Sequence, residues 1–421
     1  MKSNGQNLSI NSERLLNRIR ELGQIGRDEE GKLMRLAASA SDKAGRDIVI
    51  TWMKDAGLEI VIDRIGNIFG IWSNSIVKNY EKPVMIGSHI DTVIDAGIYD
   101  GSYGVLSGME VVKTLQEAGF VPTRPIVVAA FTNEEGVRYT PDMMGSLVYA
   151  GGLSIDEALA TIGNDGTQLG TELEKIGYAG TEEPGFLHPH AFLELHIEQG
   201  PVLANADIPI SAVENLQGIS WQRITIEGAA NHAGTTPMET RRDAGYAAAR
   251  VITFLRDQII TSNESSTVAT VGSIHVEPNA INVIPSRAMF TVDLRNPNEQ
   301  QLQNEEAALA DFLEELADAE NVTISSEKLA RFEPVIFDEK IVNMIENAAD
   351  QRNLKSKRMT SGAGHDAQMM ARICPTAMIF VPSKDGISHN PKEFTSEADL
   401  VAGANVLLDV VSELAGVERW K

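Results

Sequence analysis

Six consecutive apolar residues at 126–131, Ile-Val-Val-Ala-Ala-Phe, run straight into Thr-Asn-Glu-Glu-Gly, and this junction limits the fold more than any other feature. The run is β-rich, does not alternate with polar residues, and is far too short to span a membrane. Such a strand is buried on both faces, which requires a mostly parallel sheet with helices covering each side. The same texture recurs at 83–86, ending at Gly87, and at 191–195 and 377–381. Helical spacing fills the intervals. Asn11-Ser12-Glu13 leads into Leu15, Leu16 and Ile19, and residues 102–119 place Leu106, Met109, Val112 and Leu115 on one face with Gly119 as the stop. A further helix from about residue 365 to residue 372 precedes the last strand.

Between about 213 and 328 the rhythm changes. Residues 221–227 alternate as a half-exposed strand, and 242–260 form an Ala-rich helix. Residues 267–276 and 286–294 read as two strands, 302–319 as an acidic amphipathic helix, and 322–325 as a last strand. The order β-α-β-β-α-β is that of a ferredoxin-like sandwich. The expected organisation is an α/β domain in two parts, 1–212 and 329–421, with a small domain inserted at 213–328. A chain of 421 residues has room for both.

Lys and Arg number 36 against 59 Asp and Glu, a net charge of −23, so nucleic acid and anionic membranes would repel this surface. Cys374 is the single cysteine, which excludes an internal disulfide and a Cys-rich zinc site. The first residues carry no apolar stretch of the secretory kind, and a cytoplasmic location is expected.

The polar residues that follow the buried strands carry the chemistry. His89 ends one strand, and Asp91 is two residues on, suited to hold the other ring nitrogen of a ligand histidine. Asp100 follows in a Gly-rich turn before a helix. Glu134 and Glu135 follow residues 126–131, His196 ends a third strand, and His389 lies just past the last. Ligands bind at the carboxyl ends of strands in open α/β sheets. Three histidines, one aspartate and at least one glutamate there can build a two-metal site with a shared carboxylate. His188, His190 and His275 read as ordinary loop and strand residues, and His365 as a helix-start or supporting residue.

The stretches GSHIDTV, DGSYGVLSGMEV, FTNEEGVRY, LELHIEQGPVL, NHAGTTPM, NVIPSRAMFTVDLRN, TSGAGHDAQMMA and ISHNPKE resemble the amidohydrolase branch of the co-catalytic zinc aminopeptidase-like family. That branch holds N-carbamoyl-L-amino-acid hydrolases, β-ureidopropionases and allantoate or ureidoglycolate amidohydrolases. The resemblance implies two divalent ions per subunit (Zn, Mn, Co or Ni). His89, Asp100 and His196 would hold one, and Asp100, Glu135 and His389 the other. It implies Glu134 as general base and His232 as the group that polarises the scissile carbonyl. It implies Gln199, Asn282 and Arg295 as substrate contacts, the last two at the substrate carboxylate, with Gly362, Ala363 and Gly364 allowing close backbone approach. It further implies a homodimer paired through the inserted domain, with His232 serving the partner's site.

Two departures stand out. Ser102 occupies a position where the pattern has an apolar residue, and no ligand depends on it. Ser220-Trp221 stands where the allantoate branch has a basic residue, which favours an N-carbamoyl amino acid over allantoate, ureidoglycolate or an N-acyl amino acid. A non-catalytic binding protein on this scaffold is disfavoured because every ligand and the base are present.

Overall fold

A computed structural model describes residues 8–73, 82–261 and 266–419. The first seven residues, on which the leader reading rests, lie outside the described residues. The chain divides into two compact units, Met1–Glu214 with Phe337–Lys421, and Asn215–Ile336. Among the described residues, no helix is long and apolar enough to cross a membrane.

In the first unit, Ile126–Phe131, Val84–His89, Ala191–Ile197 and Thr376–Val381 are buried at every position and lie side by side in that order. All their pairings are parallel. Their register puts His89 opposite Phe131 and His196 opposite Phe380, so the four carboxyl ends finish at one level. Antiparallel strands extend this centre at both sides. Glu59–Ile62 and Ile68–Trp72 form a hairpin at one side, and Ile210–Leu216 lies at the other. A tight hairpin can pair only antiparallel, so the parallel rule holds for the crossover-connected strands alone.

Adjacent residues of one strand show that both faces are covered. Leu195 packs against Gly403 of helix Glu397–Leu414, whereas the Glu194 carboxylate accepts the Ala367 N–H of helix Asp366–Met370 at 2.8 Å. Helix Ser102–Glu117 is the crossover between the His89 strand and Ile126–Phe131, and Leu106, Met109, Val112 and Leu115 are buried along it.

The second unit has the sheet order Ile274–Glu277, Arg287–Asn296, Gly218–Glu227, Thr323–Phe332, antiparallel throughout. Ala244–Thr261 and Glu299–Glu320 are its α-helices among the described residues. Val251, Phe290, Val292, Leu309 and Leu313 belong to its core, and the Phe254 and Phe312 rings stack at 4.0 Å. The strand expected at 267–276 is instead two, Val268–Thr270 and Ile274–Glu277. Thr270 pairs with Asp293 and Ile274 with Phe290, so three residues oppose two. This is a bulge, centred on Gly272. The last strand runs on from residue 325 to Phe332, because its partner Gly218–Glu227 is paired down to Ile219. The unit's C-terminal boundary accordingly falls at 336 and not at 328.

Helix Ser102–Glu117 lies close on the sheet. A Cβ at Gly104 would stand 2.5 Å from the Leu195 carbonyl oxygen, a backbone atom that cannot yield alone. Gly104→Ala should therefore lower the thermal unfolding transition, since overpacking costs about 1–3 kcal/mol. Gly108→Ala meets only the side chains of Ile86 and Val128, and its gain in helix propensity, about 1 kcal/mol, should leave the transition nearly unmoved. Calorimetry of the two variants checks the difference.

Candidate active site

The strand ends and the loops that leave them bring six side chains together. His89 is the last residue of its strand, His196 the next to last of its own, and His389 follows Thr376–Val381 in the loop before helix Glu397–Leu414. Asp100 stands at the centre. Its Oδ1 lies 3.3 Å from His89 Nε2 and 3.1 Å from His196 Nε2, and its Oδ2 lies 3.4 Å from His389 Nε2. Glu135 Oε2 is 3.3 Å from His389 Nε2, and Glu134 Oε2 is 3.3 Å from His89 Nε2. Gly101, at φ +60, lets the chain turn here, and a side chain at that position would fall on the His89 ring.

The histidine nitrogens are oriented. His89 Nδ1 donates to the Asp91 carbonyl at 3.0 Å, and His196 Nδ1 to the Ile197 carbonyl at 2.9 Å. With the proton on Nδ1, a neutral ring presents the Nε2 lone pair, and on His196 that nitrogen accepts the Gly101 N–H at 3.1 Å. A lone pair facing a carboxylate oxygen is repulsive unless a cation lies between them. Two groups could hold a cation, His89–Asp100–His196 and Asp100–Glu135–His389, with the ligand atoms of each within 4.8 Å of one another. Glu135 Oε1 is buried without a partner, a further free donor to a cation. The residues present therefore fit metal ions. A third group, Glu194–His196–His365, reuses His196. Its Glu194 already accepts from the Ser88 hydroxyl at 2.7 Å and the Ala367 N–H at 2.8 Å, so it supports its neighbours.

The charges answer one another. Burial works against an ionised Asp100, but His196, His389 and His89 outweigh it and hold the carboxyl well below its ordinary pKa. Burial also opposes a charged His89, and Glu134 and Asp100 outweigh that and raise it. The hydrogen bond to Asp100 carries His389 up to about 9. Burial, then the nearby acids, pushes Glu135 to about 8 and Glu134 well above the carboxylate range.

Asp91 does a different job from the one its spacing predicts. Its backbone carbonyl, not its carboxylate, holds His89, and the nearest carboxylate oxygen is 3.8 Å from Nδ1. The carboxylate instead accepts the N–H groups of Glu134 and Glu135, both at 3.3 Å, and so fixes the turn that carries the two acids.

Gln199, at φ +58, donates from Nε2 to Asp100 Oδ2 at 2.8 Å. Gly362, Ala363 and Gly364 connect strand Ser356–Ser361 to helix Asp366–Met370. His365, next along, is buried with its ring centroid 4.6 Å from that of His196, and burial lowers its pKa well below the usual histidine range. Sequence reasoning missed Glu393 and Ser388. Both lie in the quoted ISHNPKE stretch, but no spacing rule marks them.

His232 and Asn282 belong to the second unit and come together there. Ala233 N–H donates to the Asn282 carbonyl at 3.0 Å, and His232 forms a bridge with Val283. His232 is exposed. Its Nδ1 accepts the N–H groups of Gly234 at 3.0 Å and Thr235 at 3.2 Å, which leaves the proton on Nε2. Arg295, which pairs with Asp293 at 2.9 Å, does not join them. It lies opposite Ile219 at one end of the two long strands, whereas the loops of His232 and Asn282 leave the other end, where Arg287 faces Glu227.

The chain is 39% identical over 416 residues to an N-carbamoyl-L-amino acid amidohydrolase from Geobacillus stearothermophilus, covering 96% of this chain and 99% of that one. It is 34% identical over 414 residues to an allantoate amidohydrolase from Bacillus subtilis, covering 97% and 99%. Its fold matches the crystal structure of a hydantoinase/carbamoylase-family amidase from Burkholderia multivorans, with a TM-score of 0.92 at 40% identity over 97% of this chain and 99% of that chain. Residues 85–413 match the model of peptidase family M20/M25/M40, and with the strand-end cluster of histidines and acids falling inside that stretch, the chain belongs to this family.

Proposed function

We propose that this chain is a metal-dependent amidohydrolase that cleaves the ureido C–N bond of a small N-carbamoyl-L-amino acid. One water is consumed, and the amino acid, ammonia and carbon dioxide are released. The observation that carries the reading is Asp100 shared between two ligand groups, with Glu134 beside them and in neither. His89, Asp100 and His196 would hold one divalent ion, and Asp100, Glu135 and His389 a second. The imidazole–carboxylate set suits Zn, Mn, Co or Ni. When bound, such ions polarise a carbonyl and acidify water.

The chain's own residues do the rest. Glu134, its pKa raised by burial and by neighbouring acids, takes the proton of the water that attacks the ureido carbon and returns it to the leaving nitrogen. His232 presents Nε2–H to the oxygen that gains charge. Arg295 grips the substrate carboxylate with its planar fork. Gln199 contacts substrate from the Asp100 side, and residues 362–364 let backbone approach it. Asn282 acts beside His232, since the sheet separates it from Arg295. Ser220-Trp221 contributes no basic side chain, which supports an N-carbamoyl amino acid over allantoate. The net charge of −23 supports a small-molecule partner over nucleic acid or an anionic membrane.

The second unit's geometry supports a homodimer with composite sites. Eight steps along the strand, from Arg287 to Arg295, separate the His232 end from the Arg295 end, roughly 26 Å at about 3.3 Å per step. In an N-carbamoyl amino acid only one nitrogen and the Cα lie between the ureido carbon and the carboxylate. This separation supports a reading in which a second copy supplies one of the two groups to a given substrate molecule. His232 is the group assigned to the partner's site.

Ammonia release should be greatest for N-carbamoyl-L-amino acids in a panel that includes allantoate, ureidoglycolate and N-acetyl amino acids, with each metal added to stripped protein. Faster release from allantoate would overturn the substrate assignment. Glu134→Gln should keep the wild-type metal content while turnover falls about 10²–10⁴-fold, checked by elemental analysis beside the kinetics. Subunit exchange tests the composite site. Glu134→Gln mixed with His232→Ala should regain activity, because one site of the mixed dimer has both groups intact. Glu134→Gln mixed with Arg295→Ala should stay inactive. Recovery in neither mixture would show that each protomer uses its own groups.

A further inference from the structure

Glu393 has no part in the chemistry above, yet it is buried against the cluster with its acceptors engaged by both loops around it. One oxygen, Oε1, accepts the backbone N–H groups of Tyr99 at 3.0 Å and Asp100 at 3.3 Å. The other, Oε2, accepts the Ser388 hydroxyl at 3.1 Å, and that hydroxyl also lies 3.0 Å from Asp100 Oδ2. The chain has made room for this carboxylate, because any Cβ at Gly97 would fall on it. The loop it ties down needs holding. His389 sits in the left-handed region at φ +52, a conformation that non-glycine residues keep only when their surroundings impose it. Its imidazole is half-exposed, unlike His89 and His196, whose positions are set by buried strands.

Glu393 repeats an arrangement found on the other side of the cluster. The Asp91 carboxylate spans the consecutive N–H groups of Glu134 and Glu135, as Glu393 Oε1 spans those of Tyr99 and Asp100. One clamp fixes the acid turn, and the other fixes the Asp100 turn to the His389 loop.

We propose that Glu393 is a positioning residue that fastens the His389 loop to the Asp100 turn and so sets the affinity of the Asp100–Glu135–His389 group for its metal ion. The proposal rests on the reading that this group holds a metal. Loss of the clamp frees His389 and loosens the Asp100 turn, while His89 and His196 stay where their strands put them. The effect should therefore fall mainly on the ion that His389 helps to hold.

The test is titration of stripped protein with Mn²⁺ or Zn²⁺, followed by calorimetry and elemental analysis, with no substrate present. Glu393→Ala should bind one ion per chain with near wild-type affinity and the second about 10–100-fold more weakly, the range for loss of an outer ligand partner. Glu393→Gln keeps an acceptor for the two N–H groups and can donate to Ser388, so it should restore the second ion to within about threefold. Ser388→Ala, which removes one tether of the same loop, should weaken the same ion by less and covers the case in which Glu393→Ala does not fold. Two ions bound to Glu393→Ala with wild-type affinity, or a Gln variant as weak as the Ala variant, would overturn the proposal. Wild-type protein that binds fewer than two ions would instead overturn the two-metal reading beneath it.

Discussion

A single buried carboxylate organises this protein's polar interior. Asp100 is 6% exposed and receives three imidazoles, two on one oxygen and one on the other. Leaving such a group charged away from water is costly unless opposite charge compensates it. The three rings with Glu134 and Glu135 make a cluster in which acids and bases must share protons or cations. Much of the nearby backbone serves that requirement. Gly101 turns the chain so that Asp100 faces His89, and carbonyls at 91 and 197 hold the two buried rings with Nε2 inward. Glu393 and Asp91 take up the free N–H groups on either side.

The parallel sheet is what makes this convergence possible. Four strands that end at one level deliver His89, the Glu134–Glu135 turn, His196 and the His389 loop to a common edge. A long apolar strand is a rigid mount, so His89 and His196 need only a short tether. The residues that arrive on loops need more: Asp91, Glu393 and Ser388 hold them, and the Ser383 hydroxyl accepts the Gln199 N–H at 2.9 Å.

The strands and their chemistry were legible because burial on both faces erases alternation and leaves plain apolar runs, each followed by a conspicuous acid or histidine. What was not legible depended on pairing partners. The break near Gly272 follows from a register that only the neighbouring strand reveals, and the extension to Phe332 from the length of its partner. The Asp91 contact is not readable from spacing, which does not say whether a carbonyl or a carboxylate reaches the ring. Glu393 was invisible because an acid four residues past a histidine looks like any solvated loop residue until Tyr99, from a distant part of the chain, folds against it. Arg295 and Asn282 look like partners in sequence, and the strand between them separates them.

The adjacent pair Glu134 and Glu135 shows how one turn can hold two like charges for two purposes. Both backbone N–H groups go to Asp91, so the turn is rigid, and the two side chains diverge, one to His89 and the other to His389. Each acid has its pKa raised first by burial and then by neighbouring carboxylates. Glu135 lies within a ligand group, where a cation would take its charge. Glu134 lies outside both groups, so its charge would remain its own. Glu134 thus stands beside both ligand groups without belonging to either, held by the same Asp91 clamp that positions its neighbour, and that is the placement the proposed proton transfer requires.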